Sequence, residues 1–571
     1  SQWMTPSGGY EIDNSLRFED ADSSFLSYTP SAGNRKKWTF SCWIKLGVLG
    51  INRVVFAGGA GASTYLRIFD TDVIGFGVGG DADYAVGPIL RDPNAWYHIV
   101  WKADTTIADG GDGRMQIFVN GERVYNASPT AWSQNHDTHF FEAELHSIGK
   151  ETDGSSADRF FDGYLAEVHL VEGLALTADS FGETGRYGEW KPKEYLGSHG
   201  DEGFYLDFKS SGVGTAGTST VGADRSGNTN HLTSSGLAAT DQMLDSPTNN
   251  FCTMNAIQYK PHGTLTEGNL TYTSNGSNHS GLEGSIAFPT TGKWYFEAYA
   301  KTTDSSSGQG VGIGHNDATR AWGSYTNMVT YLGDTRYFDG GYNTSWGADI
   351  GQGDIVGVAY DADTPQLNFY KNNAAQPDIT SFNMGFDTLP IVPLLHGRDV
   401  AWTANFGQDS SFAGAKTAQG NADGNGIGDF YYAPPSGYLA LCTSNLPAVA
   451  VIPSEHFNTV LYSGTGGNVA VRGVGFQPDF IWGKKRNAAQ NHWTIDAVRG
   501  IGKTLFPDAT DAEASIGLAG YESDGFNTGT NSLYTDNGGN YVAWNWKANG
   551  SGASNTDGSI NTTKTSANVD A

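Results

Sequence analysis

The chain has 571 residues, which is too long for a single hydrophobic core, so three to four domains are expected. Glycine supplies 77 of them, about twice its usual share of roughly 7%, and amphipathic helical stretches are nearly absent, which predicts many short strands and turns. The formal net charge is −27, from 34 basic and 61 acidic side chains. Such a surface repels phosphate, so nucleic acid and anionic membranes are disfavoured as partners.

The sequence carries no membrane-type or secretion-type segment. No run of 18 apolar residues exists, so we expect no membrane insertion. The first 14 residues lack a basic region followed by an apolar one, so we expect no signal peptide and predict release by host lysis. Cys42, Cys252 and Cys442 are odd in number and lie in apolar, strand-like runs, which predicts buried free thiols.

Residues 1–182 have the pattern of one antiparallel β-sandwich. Residues 38–44 and 96–101 alternate with a period of two, and Asn120-Gly121 between two β-rich runs predicts a type I′ hairpin turn. The motifs W-x-F-S-x-W-I, W-Y-H-I-V, I-F-V-N-G and F-D-G-Y-L-A-E-V together resemble the laminin-G-like, concanavalin A-like lectin fold. That resemblance implies a sandwich whose rim loops often bind calcium, and loop carboxylates such as Asp109, Asp112 and Asp158 are candidates.

Residues 183–250 are rich in Gly, Ser and Thr and lack a strong core pattern, so they are predicted to be a β-containing connecting segment. Residues 251–445 form the next domain, in which two apolar runs within 354–370 flank a turn with two Asp and one Pro. With G-x-W-Y-x-E from Gly292, V-G-I-G and F-Y-K-N, this domain resembles a SPRY domain. The resemblance implies a sandwich that binds other molecules through surface loops and has no catalytic activity.

Residues 446–571 form a further β-rich module of unknown function, with a polar, aromatic-free tail after Trp546. Tandem laminin-G-like and SPRY-like units followed by such a module resemble the structural proteins of marine tailed phages. The predicted fold class is therefore all-β, with tandem antiparallel, jelly-roll-like β-sandwiches.

The aromatic loop of the SPRY-like domain is the candidate ligand site. Its candidate residues are Arg320, Trp322, Tyr325, Tyr342 and Trp346. A pyranose can stack its apolar face on such rings while its hydroxyls find polar partners. The alternative is that these rings pack in the sandwich or at its rim.

One segment follows the first nine positions of a calcium loop. Asn421, Asp423, Asn425 and Asp429 fall at positions 1, 3, 5 and 9, with Gly426 at position 6. Tyr takes the place of the Glu expected at position 12, so calcium binding here would be weak, and a plain Gly/Asn turn is the alternative. Calcium is the one candidate cofactor.

No catalytic site is predicted. Glu11, Asp13 and Glu19 invite comparison with the paired carboxylates of retaining glycosidases, but Glu19 is eight residues from Glu11 and lies in the next element. Metal-protease, nucleophile-elbow and phosphate-loop motifs are absent from the sequence.

The sequence therefore predicts a non-enzymatic, virion-borne adhesin, such as a tail fibre, tail-tip or head-fibre component. Its partners would be a host-surface glycan or protein and other virion proteins, and it would be extracellular after host lysis. Because long β-fibres often trimerise, a homo-trimer is expected. The alternatives are a capsid or tail decoration protein and, less favoured, a glycan depolymerase.

Overall fold

The computed structural model describes residues 9–60, 63–78, 82–108, 113–124, 132–152, 159–257, 263–274, 280–303, 309–315, 328–332, 336–339, 342–344, 346–379, 390–448, 451–548, 553–555 and 562–565. This part of the chain is nearly all β, and the predicted all-β fold of antiparallel sheets is confirmed. It divides into two compact units, one of Ser1–Glu183 with Trp190–Pro447 and one of Thr184–Glu189 with Ala448–Ala571. The described residues contain no helix that is long and apolar enough to cross a membrane.

The first sandwich and its C-terminal extension contain strands β1–β17. Their bounds are Ser15–Phe18, Phe25–Tyr28, Lys37–Leu46, Arg53–Gly58, Thr64–Ile68, Val73–Val78, Ala82–Ile89, Trp96–Asp104, Met115–Val119, Glu122–Arg123, His146–Ile148, Gly163–Glu172, Gly182–Thr184, Trp190–Pro192, Phe204–Leu206, Thr233–Ser235 and Gln242–Met243. Short 3-10 helices lie at Ala178–Ser180 and Ala239–Asp241.

Two sheets enclose the core of the first sandwich. Sheet A runs β10-β9-β8-β3-β12-β1-β17 with β15 beside β12, and sheet B runs β16-β2-β11-β4-β5-β6-β7. Phe40 of sheet A stacks on Phe56 of sheet B with ring centroids 4.8 Å apart. The predicted type I′ turn is confirmed, because Asn120 and Gly121 have φ of 48° and 82° between the paired strands β9 and β10.

Residues 190–250 fold onto this sandwich. Within them, β15 pairs with β12, β16 with β2 and β17 with β1, so the segment adds strands to both sheets. Asp224 fixes its path: the carboxylate accepts hydrogen bonds from the backbone N–H of Tyr205, Ser226 and Asn230 and from the Ser226 hydroxyl. The buried Asp224 carboxylate thus accepts all of these hydrogen bonds. It orders a Gly/Ser/Thr-rich segment that has few apolar side chains of its own.

The second sandwich contains β18–β31, and a 3-10 helix at Thr443–Asn445 follows it. The strand bounds are Gly263–Thr266, Thr271–Ser274, Ser280–Glu283, Lys293–Thr302, Gly310–His315, Met328–Leu332, Arg336–Asp339, Tyr342–Thr344, Ile355–Asp361, Gln366–Lys371, Ala374–Ala375, Ile391–Gly397, Ala401–Asn405 and Leu439–Ala440. Sheet C runs β18-β19-β30-β21-β26-β27-β28 with β31 beside β21, and sheet D runs β20-β29-β22-β23-β24-β25. Their facing side chains form one core, which includes Phe296 and Ile313.

The C-terminal module contains β32–β40, a 3-10 helix at Pro453–Glu455 and a short α-helix, α1, at Ser532–Thr535. The strand bounds are Phe457–Ser463, Ala470–Val471, Phe480–Lys485, Trp493–Asp496, Gly520–Glu522, Gly525–Asn527, Asn540–Trp546, Ala553–Asn555 and Thr562–Thr565. Sheet E runs β32-β38-β34-β35 and sheet F runs β33-β37-β36. One face of sheet E packs on a core that contains Trp493, Phe526 and Tyr534.

A buried ion pair lies where the two sandwiches meet, which we call the seam. Lys45 of β3 and Asp245 are both fully buried, and the Lys45 ammonium is 2.6 Å from Asp245 Oδ2. The ammonium also donates to Asn250 Oδ1 at 2.8 Å and to the Phe251 carbonyl at 3.3 Å. Asp245 Oδ1 in turn accepts from the Trp96 indole at 3.1 Å. The cation and anion are thus paired and hydrogen-bonded, which is the condition for burying charge.

The turn between β18 and β19 carries the second set of seam contacts. Glu267, Gly268 and Asn269 have φ of 57°, 60° and 69°, so three consecutive residues occupy the left-handed region. The Glu267 N–H donates to Glu19 Oε2, the Gly268 carbonyl accepts from the Tyr164 hydroxyl at 2.7 Å, and Asn269 Nδ2 donates to a backbone carbonyl at the end of β3. The strained turn is therefore stabilised by docking onto the first sandwich.

Arg17 of β1 extends the charged seam. Its guanidinium lies 2.8 Å from Asp241, 3.1 Å from Glu267 and 3.7 Å from Asp409, so it joins carboxylates from both sandwiches. Burial alone would lower the pKa of Arg17, but these three carboxylates outweigh burial and hold the pKa above its usual range. The seam therefore keeps this cation charged.

We expect Lys45→Met to lower the free energy of unfolding by about 3–5 kcal/mol, because it leaves the Asp245 carboxylate buried without its cation. Urea unfolding followed by tryptophan fluorescence measures the change. Lys45→Met with Asp245→Asn should recover part of the loss, since no unpaired charge remains. Lys36→Met is the matched control: its exposed pair with Asp137 spans 3.8 Å, and its loss should cost less than about 1 kcal/mol. Equal stability of Lys45→Met and the parent would contradict this account of the seam.

Candidate functional site

A solvent-open cleft lies beside the buried ion pair, within the compact unit that holds both sandwiches. Its volume is about 580 Å³, within the usual range for small-ligand sites of roughly 300–1,000 Å³. One wall comes from the chain just before β1 and from the segment after β17, and the other from the end of the second sandwich. The lining residues are Glu11, Ile12, Asp13, Leu244, Ser246, Thr248, Asn249, Phe251, Gly426, Ile427, Gly428 and Ser444.

The first wall is held by hydrogen bonds between distant parts of the chain. The Thr248 hydroxyl accepts from the Ile12 N–H at 3.0 Å and donates to the Ile12 carbonyl at 2.9 Å. Ile12 is thereby fixed as a buried residue between two exposed carboxylates, Glu11 and Asp13. Asp13 is 2.7 Å from the Lys209 ammonium. The cleft therefore presents carboxylate, hydroxyl and amide groups around a small apolar floor.

The second wall is the loop that the sequence singled out for calcium. Gly426 and Gly428 line the cleft with φ of 76° and 99°, which a side chain would strain. Asp423 holds this loop in place: Oδ1 accepts from the backbone N–H of Asn425 and Ile427. Its Oδ2 accepts from the Ala440 N–H and from Asn445 Nδ2.

The other candidate calcium ligands are also hydrogen-bonded within the protein. Asp429 accepts from the N–H groups of Gly420 and Ser410, and Asn421 Nδ2 donates to the carbonyls of Phe430 and Tyr431. Asn425 Nδ2 donates to Asn445 Oδ1. The four side chains thus shape the cleft wall through protein contacts, and calcium at this loop stays a prediction.

The aromatic candidates of the second sandwich fall largely outside the described residues, where Arg320, Trp322 and Tyr325 lie. Tyr342 begins β25, and its side chain is outside the described part of the structure. Trp346 is 8% exposed. It packs against Tyr331 and Phe369, and its indole N–H donates to the Pro377 carbonyl. Trp346 therefore sits in the core of this sandwich. The loop carboxylates Asp109, Asp112 and Asp158 also lie outside the described residues.

Ser41 and His98 form a hydrogen-bonded pair on sheet A, but His98 carries its proton on the nitrogen that faces the serine and so cannot activate it. Ser41 Oγ is 2.9 Å from His98 Nε2, and the Trp190 indole N–H donates to His98 Nδ1. A neutral His98 that accepts at Nδ1 carries its proton on Nε2 and donates it to Ser41, whereas a general base would have to accept from serine. Burial lowers the pKa of His98 to about 3, so it stays neutral.

Three carboxylates lie close together next to the β18–β19 turn. The spacing of these residues in the sequence does not indicate this cluster. Oxygens of Glu19, Asp20 and Asp162 lie within 4.8 Å of one another, and Glu19 and Asp162 are buried. Burial, followed by the neighbouring Asp162 carboxylate, raises the pKa of Glu19 well above its usual range. Burial likewise raises the pKa of Asp162, although the Arg53 guanidinium acts in the opposite direction. Both carboxyl groups are therefore harder to ionise in the folded protein than in water.

Comparison with family models identifies three segments of the chain. Residues 20–180 match the concanavalin A-like lectin/glucanase superfamily (laminin G type), residues 293–409 match the SPRY domain, and residues 452–571 match a domain of unknown function, DUF7483. The chain thus contains a laminin-G-like domain and a SPRY domain, both of which resemble binding modules rather than enzymes. The predicted resemblance to these two families is confirmed. Most seam residues fall between the two matches.

Solved structures resemble single parts of the chain. The SPRY domain of human HERC1 is 16% identical with a TM-score of 0.22, covering 25% of this chain and 91% of that one. A heptameric SAP-like pentraxin from Limulus polyphemus is 16% identical with a TM-score of 0.24, covering 30% of this chain and 80% of that one. Among curated proteins, none matches the chain.

The raised pKa values of Glu19 and Asp162 predict a pH-dependent stability. Because the folded pKa of Glu19 is raised above its unfolded value of 4.5, its stabilising contribution is complete below that value and is lost as the pH rises. The free energy of unfolding should therefore fall between pH 5 and pH 9, by up to about 1.4 kcal/mol per pH unit for one proton. The neighbouring carboxylates of Glu267 and Asp20 raise the pKa of Glu19 further, whereas the Arg53 guanidinium lowers the pKa of Asp162.

Glu19→Gln should flatten this pH dependence, because the amide cannot ionise and still accepts from the Glu267 N–H. Urea unfolding at pH 5, 7 and 9 gives the slope for parent and variant. Glu11→Gln, an exposed carboxylate, is the control and should keep the parental slope. Parallel slopes for the parent and Glu19→Gln would show that the buried pair does not hold the proton.

Proposed function

We propose that the protein is a virion-borne adhesin of a tailed phage, which attaches the particle to a glycan or protein on the host surface. The observation that carries the proposal is the cleft, which is built from segments that flank the two family matches, in a unit where a laminin-G-like and a SPRY domain are fixed to each other by a buried ionic seam. Two modules of binding type joined by buried charges suit a protein that must present its loops in a constant arrangement under load.

The cleft has the chemistry to bind a hydroxyl-rich ligand. The carboxylates of Glu11 and Asp13 can accept hydrogen bonds from neighbouring hydroxyls, and the amide of Asn249 can donate one. The two carboxylates, in a chain of net charge −27, repel polyanions. The best-suited ligand for this site is a neutral or amino-substituted glycan.

Multivalency would supply the strength of attachment. Each cleft is small and open, so a single site is expected to bind weakly, whereas several copies on one particle raise avidity by orders of magnitude without new contacts. In this proposal the protein is non-catalytic, acts outside the cell after host lysis, and assembles with other virion proteins, as a trimer. Calcium would strengthen binding only if it rigidifies the 421–429 loop that forms one wall.

We expect Glu11→Gln combined with Asp13→Asn to weaken binding to host cells by roughly tenfold or more, because hydrogen bonds to charged acceptors contribute about 1.5–3 kcal/mol each. The measurement is saturation binding of the fluorescently labelled full chain to intact cells of candidate hosts and to a neutral-glycan array, with and without a calcium chelator. Asp137→Asn, an exposed carboxylate away from the cleft, is the matched control.

The outcomes separate the candidate functions. Saturable binding that the cleft variant loses and Asp137→Asn retains supports the adhesin. Binding to purified virions but to no host cell would overturn it in favour of a capsid or tail decoration protein. Oligosaccharide released into the medium during the assay would instead indicate a depolymerase.

A further inference from the structure

The outer face of sheet E in the C-terminal module exposes an unusual block of aromatic side chains. Strands β32, β38 and β34 pair so that Phe457, Trp546 and Phe480 lie in one row across the sheet, and Trp544 and Trp482 lie side by side in the next. Because side chains alternate along a strand, the same strands turn Val460, Ala543 and Ile481 into the core. The five rings therefore belong to one continuous outer surface, which we call the aromatic platform.

The rings of the platform touch one another and remain accessible. Ring centroids are 4.9 Å apart for Phe457–Trp546, 5.1 Å for Phe480–Trp546 and 6.1 Å for Trp482–Trp544. Phe457 is 40% exposed and Trp482 is 37% exposed, and the other three rings are half-buried. Such a contiguous exposed aromatic patch marks an interaction surface.

Hydrogen bonds hold the Trp482 indole in one orientation. The Trp482 N–H donates to His492 Nδ1 at 3.0 Å, and the His492 backbone N–H donates to both carboxylate oxygens of Asp508. Pre-ordering the ring reduces the entropy lost on binding, which favours a surface built to stack on a ligand. Core packing alone would not require this exposed arrangement.

Charge selects the occupant. Residues 448–571 carry 8 basic and 11 acidic side chains, a net charge of −3, whereas the whole chain carries −27. The five rings and Thr459 are uncharged, and one cation, Lys484, and one anion, Asp496, border them on the same face, so the platform carries no excess of either charge.

Polar side chains flank the rings on the same face. Thr459 pairs across to Trp544, Thr494 pairs across to Trp482, and His492 lies beyond Trp482. A ligand with apolar faces and hydroxyl edges fits a surface of uncharged rings bordered by hydroxyl and imidazole groups. Sugar rings have this combination, and a chain of them would span the two rows.

We propose that the aromatic platform is a second binding site, for a neutral polysaccharide chain. It goes beyond the adhesin proposal, because it gives the C-terminal module its own ligand class and does not involve the cleft. The apolar faces of successive sugar units stack on the rings of the two rows, and the flanking Thr459 and His492 bind their hydroxyls.

The test is depletion of the soluble full chain by insoluble cellulose, chitin and starch. We expect saturable binding to at least one, and a loss of roughly tenfold in affinity for Trp482→Ala and for Trp544→Ala, with a greater loss for the double variant. Trp482→Phe should retain most of the affinity, since it keeps a ring at the position. Leu196→Ala is the control for general adhesiveness, because Leu196 is apolar and 84% exposed in the other compact unit.

Sedimentation velocity on the same samples tests for self-association. No depletion by any of the three polysaccharides would overturn the proposal, as would depletion that the double variant retains. Oligomers of the parent that the double variant loses would also overturn it, because the platform would then contact a second copy. Host-cell binding of Glu11→Gln combined with Asp13→Asn reports on the cleft separately, so failure of the cleft and failure of the platform give different results.

Discussion

The buried ammonium of Lys45 is the constraint on which the larger compact unit depends. It lies on a strand of the first sandwich, yet its anion, Asp245, and its other acceptors come from residues 245–251. Separating the sandwiches would break the Arg17 ion pairs with Glu267 and Asp409 and would remove the Phe251 carbonyl from the buried Lys45 ammonium. The seam is thus a buried, ion-paired contact between the two sandwiches.

This constraint also makes the cleft. Its walls come from residues 11–13, 244–251 and 426–444, which are held together by the Ile12–Thr248 and Asn249–Ser444 hydrogen bonds and by Asp245 and Phe251 at Lys45. A ligand that contacts both walls binds only the closed seam, and so it stabilises that state by mass action. Ligand binding and seam stability are therefore linked, and a change that loosens the seam should weaken binding even when no cleft residue is altered.

Local patterns predicted the sandwiches but not the contacts between them. The alternation in residues 38–44 and the Asn120-Gly121 turn depend on neighbours in sequence. The structure has the predicted strand and the predicted left-handed turn at these positions. The seam depends on pairs about 200 residues apart, such as Lys45 with Asp245, for which a single sequence carries no local signal. Trp346 shows the same limit. The aromatic and Gly/Asn-rich segment around it is typical of a ligand-binding loop, whereas its burial depends on Phe369 and Pro377, which are distant in sequence.

The two proposed surfaces differ in the force that drives binding, and this difference has a functional consequence. The cleft relies on carboxylates and hydroxyls, whose contacts with a ligand must replace strong hydration. The platform relies on removing aromatic surface from water, which sulfate and other excluded salts strengthen and which carries little dependence on ionic screening. Attachment through both would hold over a wider range of salt than either alone. In salty water, where surface electrostatics are screened within about 8 Å or less, the aromatic contact would therefore carry the larger share of adhesion.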